Sequence, residues 1–186
     1  MGRFMARGGW LCFIAAGLML TGLFRADRTA RGEENAVEQD TLLFGGEILD
    51  SWIQAVGEAR RTVDVAMYKL TSSRALEALE EAEQRGVRVR LLLDGKEAAR
   101  KNSLARKARK AGLAVSLWPT DSRGKLHVKL TLIDEKTAVL GSFNLTTSAE
   151  RVNREFLLRT EDEHIFQVCR KFVQDSFATA STITGP

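Results

Sequence analysis

The sequence contains few of the residues that mark metal sites, disulfide frameworks or disordered chains. Its 186 residues include two cysteines, two histidines and two prolines. Cys12 falls in an apolar N-terminal run and Cys169 in the apolar pattern of a helix, so the pair predicts neither a disulfide framework nor a metal site. Because repeats and low-complexity tracts are also absent, the sequence favours one compact globular domain and excludes a solenoid.

The N-terminus has the pattern of a membrane-targeting segment. Residues 10–24 carry no charge and follow Arg3 and Arg7, which is typical of a signal peptide. The run is shorter than the roughly 20 residues of a spanning helix, but Phe24 or Arg28 would occupy the −3 position of the available cleavage sites. Residues 1–24 are therefore predicted to be a signal peptide or an uncleaved anchor, which makes the protein exported (periplasmic or extracellular) or membrane-anchored through residues 10–24.

The remainder of the chain predicts an α/β domain. Residues 25–40 are polar and are expected to form a linker, followed by a domain over 41–180 and a tail over 181–186. Short apolar runs alternate there with helical patterns. The predicted strands are 41–44, 63–68, 87–94, 115–118, 126–133, 137–142 and 155–160, with 87–94 inside the sheet; the predicted helices are 47–60, 73–85, 96–111 and 162–178.

A group of polar residues follows in the second half of this domain. His127 and Lys129 are two residues apart in a predicted strand, so they share one face. Alone, such a pair is also compatible with a solvent-facing edge strand. The sequence continues, however, with several further polar and glycine residues at fixed spacing: Asp134, then Gly141-Ser142-Phe143-Asn144-Leu145-Thr146, then Asn153 and Glu155.

This combined pattern closely resembles the phospholipase D superfamily. The resemblance covers about residues 41–178 and is closest to members with a single motif, namely small bacterial endonucleases and the mitochondrial cardiolipin hydrolase group. The latter usually has a zinc-binding insertion of cysteine and histidine, which this sequence lacks, so the bacterial nuclease-like branch is favoured. The resemblance implies a mixed sheet flanked by helices on both faces, and phosphodiesterase activity without metal or cofactor.

The residue types suit phosphodiester cleavage through a covalent intermediate. A neutral imidazole makes His127 the candidate nucleophile. Lys129, Asn144 and the Ser142 hydroxyl are expected to hold the phosphate oxygens, and Glu155 is expected to accept a hydrogen bond from the other ring nitrogen of His127.

Three further motif residues are given supporting roles. Asp134 is expected to hold the turn after its strand in preference to acting in catalysis. Thr146 is expected to cap the following segment. Gly141 is expected to permit a close approach of the backbone.

One histidine cannot readily serve both as nucleophile and as acid for the leaving group, because the two groups act on opposite sides of phosphorus. The other histidine, His164, starts the last predicted helix and has no lysine two residues later. The resemblance implies that single-motif chains pair across a twofold axis. We therefore expect a homodimer with a shared active site.

The substrate is left open by the sequence. The net charge of +4 and a basic helix over 96–111, with Lys96, Arg100 and Lys101, suit nucleic acid, and Lys125 adds charge beside the motif. The same charges suit an anionic membrane or a merely solvated helix. The first hypothesis is a non-specific endonuclease acting on DNA or RNA; the alternatives are a phospholipase D or cardiolipin hydrolase, and an inactive nucleic-acid-binding module.

Overall fold

Strands and helices alternate along the chain in the computed structural model, which describes residues 40–121 and 124–182. The strands are β1 (Thr41–Phe44), β2 (Thr62–Met67), β3 (Arg88–Asp94), β4 (Ala114–Trp118), β5 (Lys129–Ile133), β6 (Thr137–Gly141), β7 (Phe156–Thr160) and β8 (Ser181–Thr182). The helices are α1 (Ile48–Glu58), α2 (Ser73–Gln84), α3 (Gly95–Ala98), α4 (Ala105–Lys110), α5 (Thr147–Arg151) and α6 (Glu163–Thr179).

The strands form one mixed sheet in the order β1-β7-β6-β5-β2-β3-β4-β8. β2, β3 and β4 are parallel to one another, and the pairs on either side of them are antiparallel. The antiparallel pair β2–β5 joins the parallel half to the hairpin β5–β6. The predicted interior position of the strand at 87–94 is confirmed, since β3 lies between β2 and β4.

Helices cover both faces of the sheet, as the sequence predicted. On one face α1 and α2 bury a large apolar cluster that includes Trp52 and Leu79. The indole N–H of Trp52 donates to Thr131 Oγ1 at 2.9 Å, which satisfies two buried polar groups and fixes α1 on β5. On the other face α6 packs Phe166 and Val173 over β4, β5 and β6, and Cys169 lies against the same cluster.

The turn after β5 is held by Asp134. Its carboxylate accepts hydrogen bonds from the backbone N–H groups of Arg60, Arg61 and Thr62 at 2.8, 2.7 and 2.9 Å, and its own φ is 53°. Burial raises the pKa of Asp134, but the three backbone donors outweigh it, so the pKa lies below the ordinary value. These bonds give Asp134 the structural role that the sequence favoured.

Three predicted elements differ from the structure. The prediction of one basic helix over 96–111 is wrong, since α3 and α4 are separate short helices. Between them the Leu104 N–H donates to the Leu70 carbonyl at 3.0 Å and not to a carbonyl of the preceding helical turn. The strand predicted from 126 begins at Lys129, and Ser181–Thr182 of the predicted tail form β8 beside β4. The short helix α5 was not predicted.

The predicted targeting segment over 1–24, the linker over 25–39 and the tail residues 183–186 lie outside the described residues. Among the residues that the structure does describe, no helix combines the length and the apolar character needed to cross a membrane. The targeting role of residues 1–24 therefore stays a prediction.

Replacing Asp134 with alanine should lower the free energy of unfolding by about 2 kcal/mol at neutral pH, since three backbone donors lose a charged acceptor. The folded-state pKa is lowered, so the stabilisation is present above the unfolded pKa and is lost as pH falls through the folded value. The difference in urea unfolding between wild type and variant should therefore begin to shrink as pH falls below about 4. Asp175→Ala, which removes an exposed partner of Lys171, is the control; equal stability of Asp134→Ala and wild type at pH 7 would contradict the role.

Candidate active site

Four strand ends meet at one edge of the sheet and define the site. β2 ends at Met67 where β5 begins at Lys129, and these two residues are register partners. β6 ends nearby at Gly141, beside the start of β7 at Phe156. Because β5 and β7 run antiparallel to β2 and β6, the polar residues just outside these ends come together.

His127 lies in the segment 125–128 that leads into β5, not within the strand as predicted. Lys129 Nζ donates to the His127 carbonyl oxygen at 2.7 Å and lies 3.3 and 3.4 Å from the Nδ1 and Nε2 atoms of its ring. The lysine is buried, whereas His127 is exposed. The pair therefore presents an accessible imidazole with an ammonium group directly beside it.

Backbone hydrogen bonds hold this segment outside the regular ladder. The Leu126 N–H donates to Asp94 Oδ2 at 3.1 Å, and the Tyr68 N–H donates to the Val128 carbonyl at 3.1 Å. Leu126 is also buried in the core beneath α6. His127 is thus fixed on both sides along the chain.

The sequence did not single out Tyr68, which contacts the imidazole, or Glu97 and Lys69, which contact Tyr68. The Tyr68 ring lies 4.5 Å from the His127 ring, centroid to centroid, at an interplanar angle of 58°. Its hydroxyl donates to Glu97 Oε1 at 3.1 Å, and Lys69 Nζ lies 3.4 Å from Glu97 Oε2. The available signal was the position of Tyr68 and Lys69 at the end of β2, next to the start of β5.

The surroundings favour the neutral form of His127. Although the side chain is exposed, desolvation by its neighbours lowers its pKa below the ordinary 6.5, and the charges of Lys129, Lys125 and Lys69 lower it further, against an opposing contribution from Asp94. An imidazole with a lowered pKa is unprotonated at neutral pH. It therefore has a free lone pair for attack on an electrophile.

Glu155 has different partners from the one predicted. Its carboxylate accepts from the Ser142 hydroxyl and from Asn153 Nδ2, the latter at 2.9 Å, and not from His127. Burial lowers the pKa of Lys129, and the Glu155 charge opposes this. Glu155 therefore acts on the ammonium group in this chain, and the Ser142 hydroxyl is engaged as donor to Glu155.

The remaining motif residues follow β6. The side-chain oxygen of Asn144 is buried and has no hydrogen-bond partner among the described residues, which leaves it available to accept from a hydrogen-bond donor. Thr146 Oγ1 accepts from the Ala149 N–H at 3.2 Å and caps α5. A Cβ atom at Gly141 would lie 2.2 Å from the Phe156 carbonyl oxygen, so glycine is required for this approach.

The predicted substrate-binding cations Lys96, Arg100, Lys101 and Lys125 are all exposed. Arg100 also pairs with the buried Glu97 at 3.0 Å. Within residues 40–121 and 124–182, no three His, Cys, Asp or Glu side chains are grouped so that they could hold a metal ion.

His127 is expected to titrate below 6.5, and Lys125→Gln should raise its pKa because one repulsive charge is removed. Nuclear magnetic resonance can follow both histidine rings directly, since the chain has only two, and His164→Gln identifies the signal of His127. Lys171→Gln, on α6, is the matched control. A His127 pKa above 6.5, or one that falls in Lys125→Gln, would contradict the electrostatic account.

Residues 52–176 match the family model described as "Cardiolipin synthase, PLD-like domain". Human mitochondrial cardiolipin hydrolase is 34% identical over 122 residues, covering 66% of this chain and 48% of that protein. Phospholipase D of Rickettsia prowazekii (strain Madrid E) is 30% identical over 130 residues, covering 70% of this chain and 61% of that protein. The chain thus spans about half to three fifths of the length of these relatives.

Two solved structures share the fold. NucT from Helicobacter pylori superposes with a TM-score of 0.71 at 23% identity, covering 78% of this chain and 99% of that one. Nuc from Salmonella typhimurium, a phospholipase D family member, gives 0.71 at 22% identity, covering 79% and 100%. The family match over most of the domain confirms the resemblance read from the motif: the chain belongs to the phospholipase D-like domain family.

Proposed function

We propose that the protein is a metal-independent phosphodiesterase that forms a covalent phosphohistidine at His127. The observation that carries the proposal is the contact between the buried Lys129 ammonium and the exposed His127 ring. One group is a neutral nucleophile at physiological pH, and the other is a fixed positive charge where the phosphate oxygens would lie.

The reaction proceeds in two displacements. An unprotonated ring nitrogen of His127 attacks phosphorus, an N–P bond forms, and the bond from phosphorus to the leaving oxygen breaks. A second histidine, whose protonated form is favoured once the anionic phosphodiester lies between the two rings, gives its proton to that oxygen. Water then attacks phosphorus, returns a proton to the second histidine, and releases His127 as the N–P bond breaks. Lys129 and the Asn144 amide stabilise the charge on the non-bridging oxygens.

The second histidine comes from another copy of the chain in this proposal. His164, the other histidine in the sequence, is exposed and starts α6, whereas the site lies where β5 and β7 start. A twofold axis that brings two His127 side chains face to face supplies both the nucleophile and the acid.

An uncovered apolar surface supports this pairing. Leu43 of β1 packs against the core beneath α1 and α2, so Leu42 and Phe44 point to the opposite face of the sheet. There Phe44 lies 6.3 Å from Phe156, ring to ring, and the exposures are 54% for Leu42, 74% for Phe44 and 41% for Phe156.

Exposed apolar side chains are also present on α6, where Val168 and Phe172 lie one turn apart. They lie on the side of the helix away from Phe177, whose ring is beneath the Arg90 guanidinium at 4.6 Å. We call Leu42, Phe44 and Phe156 on the sheet the apolar face. Such an exposed patch is typical of a protein interface.

Nucleic acid is the proposed substrate. The nucleophile is exposed at the sheet edge, where a long polymer can reach it, and Lys69, Lys125 and Lys129 add positive charge around it. Exposed Lys96 and Lys101 extend this charge along α3 and the loop that follows. Sequence-independent binding to the phosphate backbone uses this kind of charge, so the favoured activity is a non-specific endonuclease hydrolysing DNA or RNA.

A membrane phospholipid is the second candidate. It is favoured by the names of two relatives, a cardiolipin hydrolase and a phospholipase D. The predicted apolar segment over residues 10–24 would hold the site near a bilayer if it is retained as an anchor.

The purified protein in excess EDTA should cleave plasmid DNA or single-stranded oligonucleotides more readily than cardiolipin vesicles offered in parallel. Cleavage should fall steeply as salt rises, because counterions compete for phosphate. His127→Gln, which keeps the polar side chain but removes the nucleophile, is the inactive control. Preferential turnover of cardiolipin would establish the second candidate, binding of nucleic acid without turnover would indicate a binding module, and loss of activity with EDTA would contradict the metal-free chemistry.

Phe44→Glu should convert the protein from dimer to monomer and abolish turnover, since a charge is placed in the apolar face. Val152→Glu is the matched control, because Val152 is also apolar and is 78% exposed but lies outside that face. Analytical ultracentrifugation and a turnover assay measure both effects.

A subunit-mixing experiment tests the shared site independently. Adding an excess of His127→Ala chains to wild type should inactivate the wild-type subunits as heterodimers form. A fully active monomer of Phe44→Glu, or activity simply proportional to wild-type content, would contradict the shared site.

A further inference from the structure

Glu97 is a buried carboxylate to which the proposed reaction gives no role. Its side chain is 7% exposed, and an unpaired charge at such a depth would be strongly destabilising. The structure satisfies it with three donors: the Tyr68 hydroxyl at 3.1 Å, Arg100 Nε at 3.0 Å and Lys69 Nζ at 3.4 Å. These contacts lower the pKa of Glu97 against the opposing effect of burial, so the carboxylate is charged at neutral pH.

Tyr68 connects this carboxylate to the nucleophile. One end of its side chain, the hydroxyl, is held by Glu97, and the ring contacts the imidazole of His127 with centroids 4.5 Å apart. The ammonium groups of Lys69 and Lys129 lie 5.2 and 5.3 Å from the centroid of the same ring, within the range of cation–π attraction. The phenol therefore occupies a fixed position between the carboxylate and the imidazole.

The short helix α3 also controls the backbone of His127. Asp94, which caps α3 by accepting from the Glu97 N–H at 3.0 Å, uses its other oxygen to hold the Leu126 N–H. One turn of helix thus restrains the nucleophile twice, along the chain through Asp94 and at the ring through Glu97 and Tyr68. Glu155, the carboxylate expected to orient the imidazole, is instead bound to Ser142 and Asn153.

We propose that Glu97 is a positioning residue that acts through Tyr68: it fixes the phenol, and the phenol fixes the orientation of the His127 imidazole for attack on phosphorus. The proposal rests on the proposed phosphodiesterase activity. Misplacement of a reacting group by about 1 Å can cost up to roughly 100-fold in rate, so a ring that contacts Tyr68 and Lys129 should be sensitive to the loss of one of these contacts.

Two substitutions separate the parts of this arrangement. Glu97→Gln keeps the size of the side chain but removes its charge. Tyr68→Phe keeps the ring against His127 but removes the hydroxyl that Glu97 holds. Both should lower kcat by about 10-fold while KM changes by less than about twofold, because orientation of the nucleophile matters in the transition state more than in substrate binding. Asp175→Asn, in an exposed ion pair of α6, is the control and should leave both constants unchanged.

The coupling between Glu97 and Tyr68 has its own spectroscopic readout. Tyr68 is the sole tyrosine of the sequence, so the ultraviolet absorbance of tyrosinate reports its titration alone. Burial raises the pKa of Tyr68, and its hydrogen bond to the Glu97 carboxylate raises it further. Glu97→Gln should therefore lower the Tyr68 pKa, since the phenolate would no longer face a negative charge. A role of Glu97 in packing alone would not move this titration.

The His127 ring gives a readout that does not require turnover. In Glu97→Gln the ring signals of His127 should move as the aromatic ring of Tyr68 shifts, while those of His164 stay in place. The charged groups that act on His127, namely Lys69, Lys125, Lys129 and Asp94, are the same in this variant. The spectra are compared well above the pKa of the imidazole, so that protonation of the ring does not contribute to the difference.

The outcomes separate this proposal from the proposed function. Unchanged His127 signals in Glu97→Gln, or wild-type kcat in both folded variants, would overturn the positioning role even if the protein is an active phosphodiesterase. If the wild type hydrolyses no phosphodiester, including bis(p-nitrophenyl) phosphate as a small probe, the proposed function fails, and the His127 signals still decide whether Glu97 positions the ring. If Glu97→Gln does not fold, Tyr68→Phe decides: wild-type kcat overturns the proposal, and a loss of about 10-fold in kcat at constant KM supports it.

Discussion

The antiparallel pairing of β2 with β5 is the constraint on which the site depends. Its register runs from Val63 opposite Ile133 to Met67 opposite Lys129. At one end the Asp134 carboxylate accepts hydrogen bonds from the backbone N–H groups that lead into β2. These bonds fix the register of the two strands. A slip of one residue would move Lys129 to the other face of the sheet. The turn at Asp134 thus sets the geometry at the opposite end of the pair, where the imidazole lies.

Two carboxylates at that end of the strand pair act on different cations. Glu97 forms ion pairs with Lys69 and Arg100. The charge of Glu155 raises the pKa of Lys129 and so opposes the effect of desolvation. The carboxylates stabilise the cations without a direct hydrogen bond to the imidazole, whose neutral form is favoured by desolvation and by the nearby lysines. The site therefore combines a positive field with an unprotonated imidazole, as the proposed reaction requires, and a salt bridge from Glu155 to His127 would weaken this combination.

The sequence predicted most of this fold because its strands are short apolar runs and its helices have a clear apolar period. The motif residues could be named because their combined pattern resembles the phospholipase D superfamily, and the structure places them at the strand ends. The break between α3 and α4 was not predictable, because it depends on a hydrogen bond from the Leu104 N–H to the distant Leu70 carbonyl. The partners of Glu155 were missed for a similar reason: Ser142 and Asn153 compete locally for the carboxylate, and spacing alone does not rank such contacts.

A single chain leaves both the proposed chemistry and the packing incomplete, and it does so at the same end of the sheet. The chemistry lacks a second histidine within reach of the first, and the packing leaves Phe44 and Phe156 uncovered where β1 ends and β7 begins. Glu155 directly precedes Phe156, so the apolar face starts at the border of the site. A second copy placed over that face by a twofold axis would bury the aromatic rings and bring its own His127 toward the same phosphate. One association then meets both needs, which is why we attribute the exposed rings to pairing of the chain with itself and not to a membrane surface.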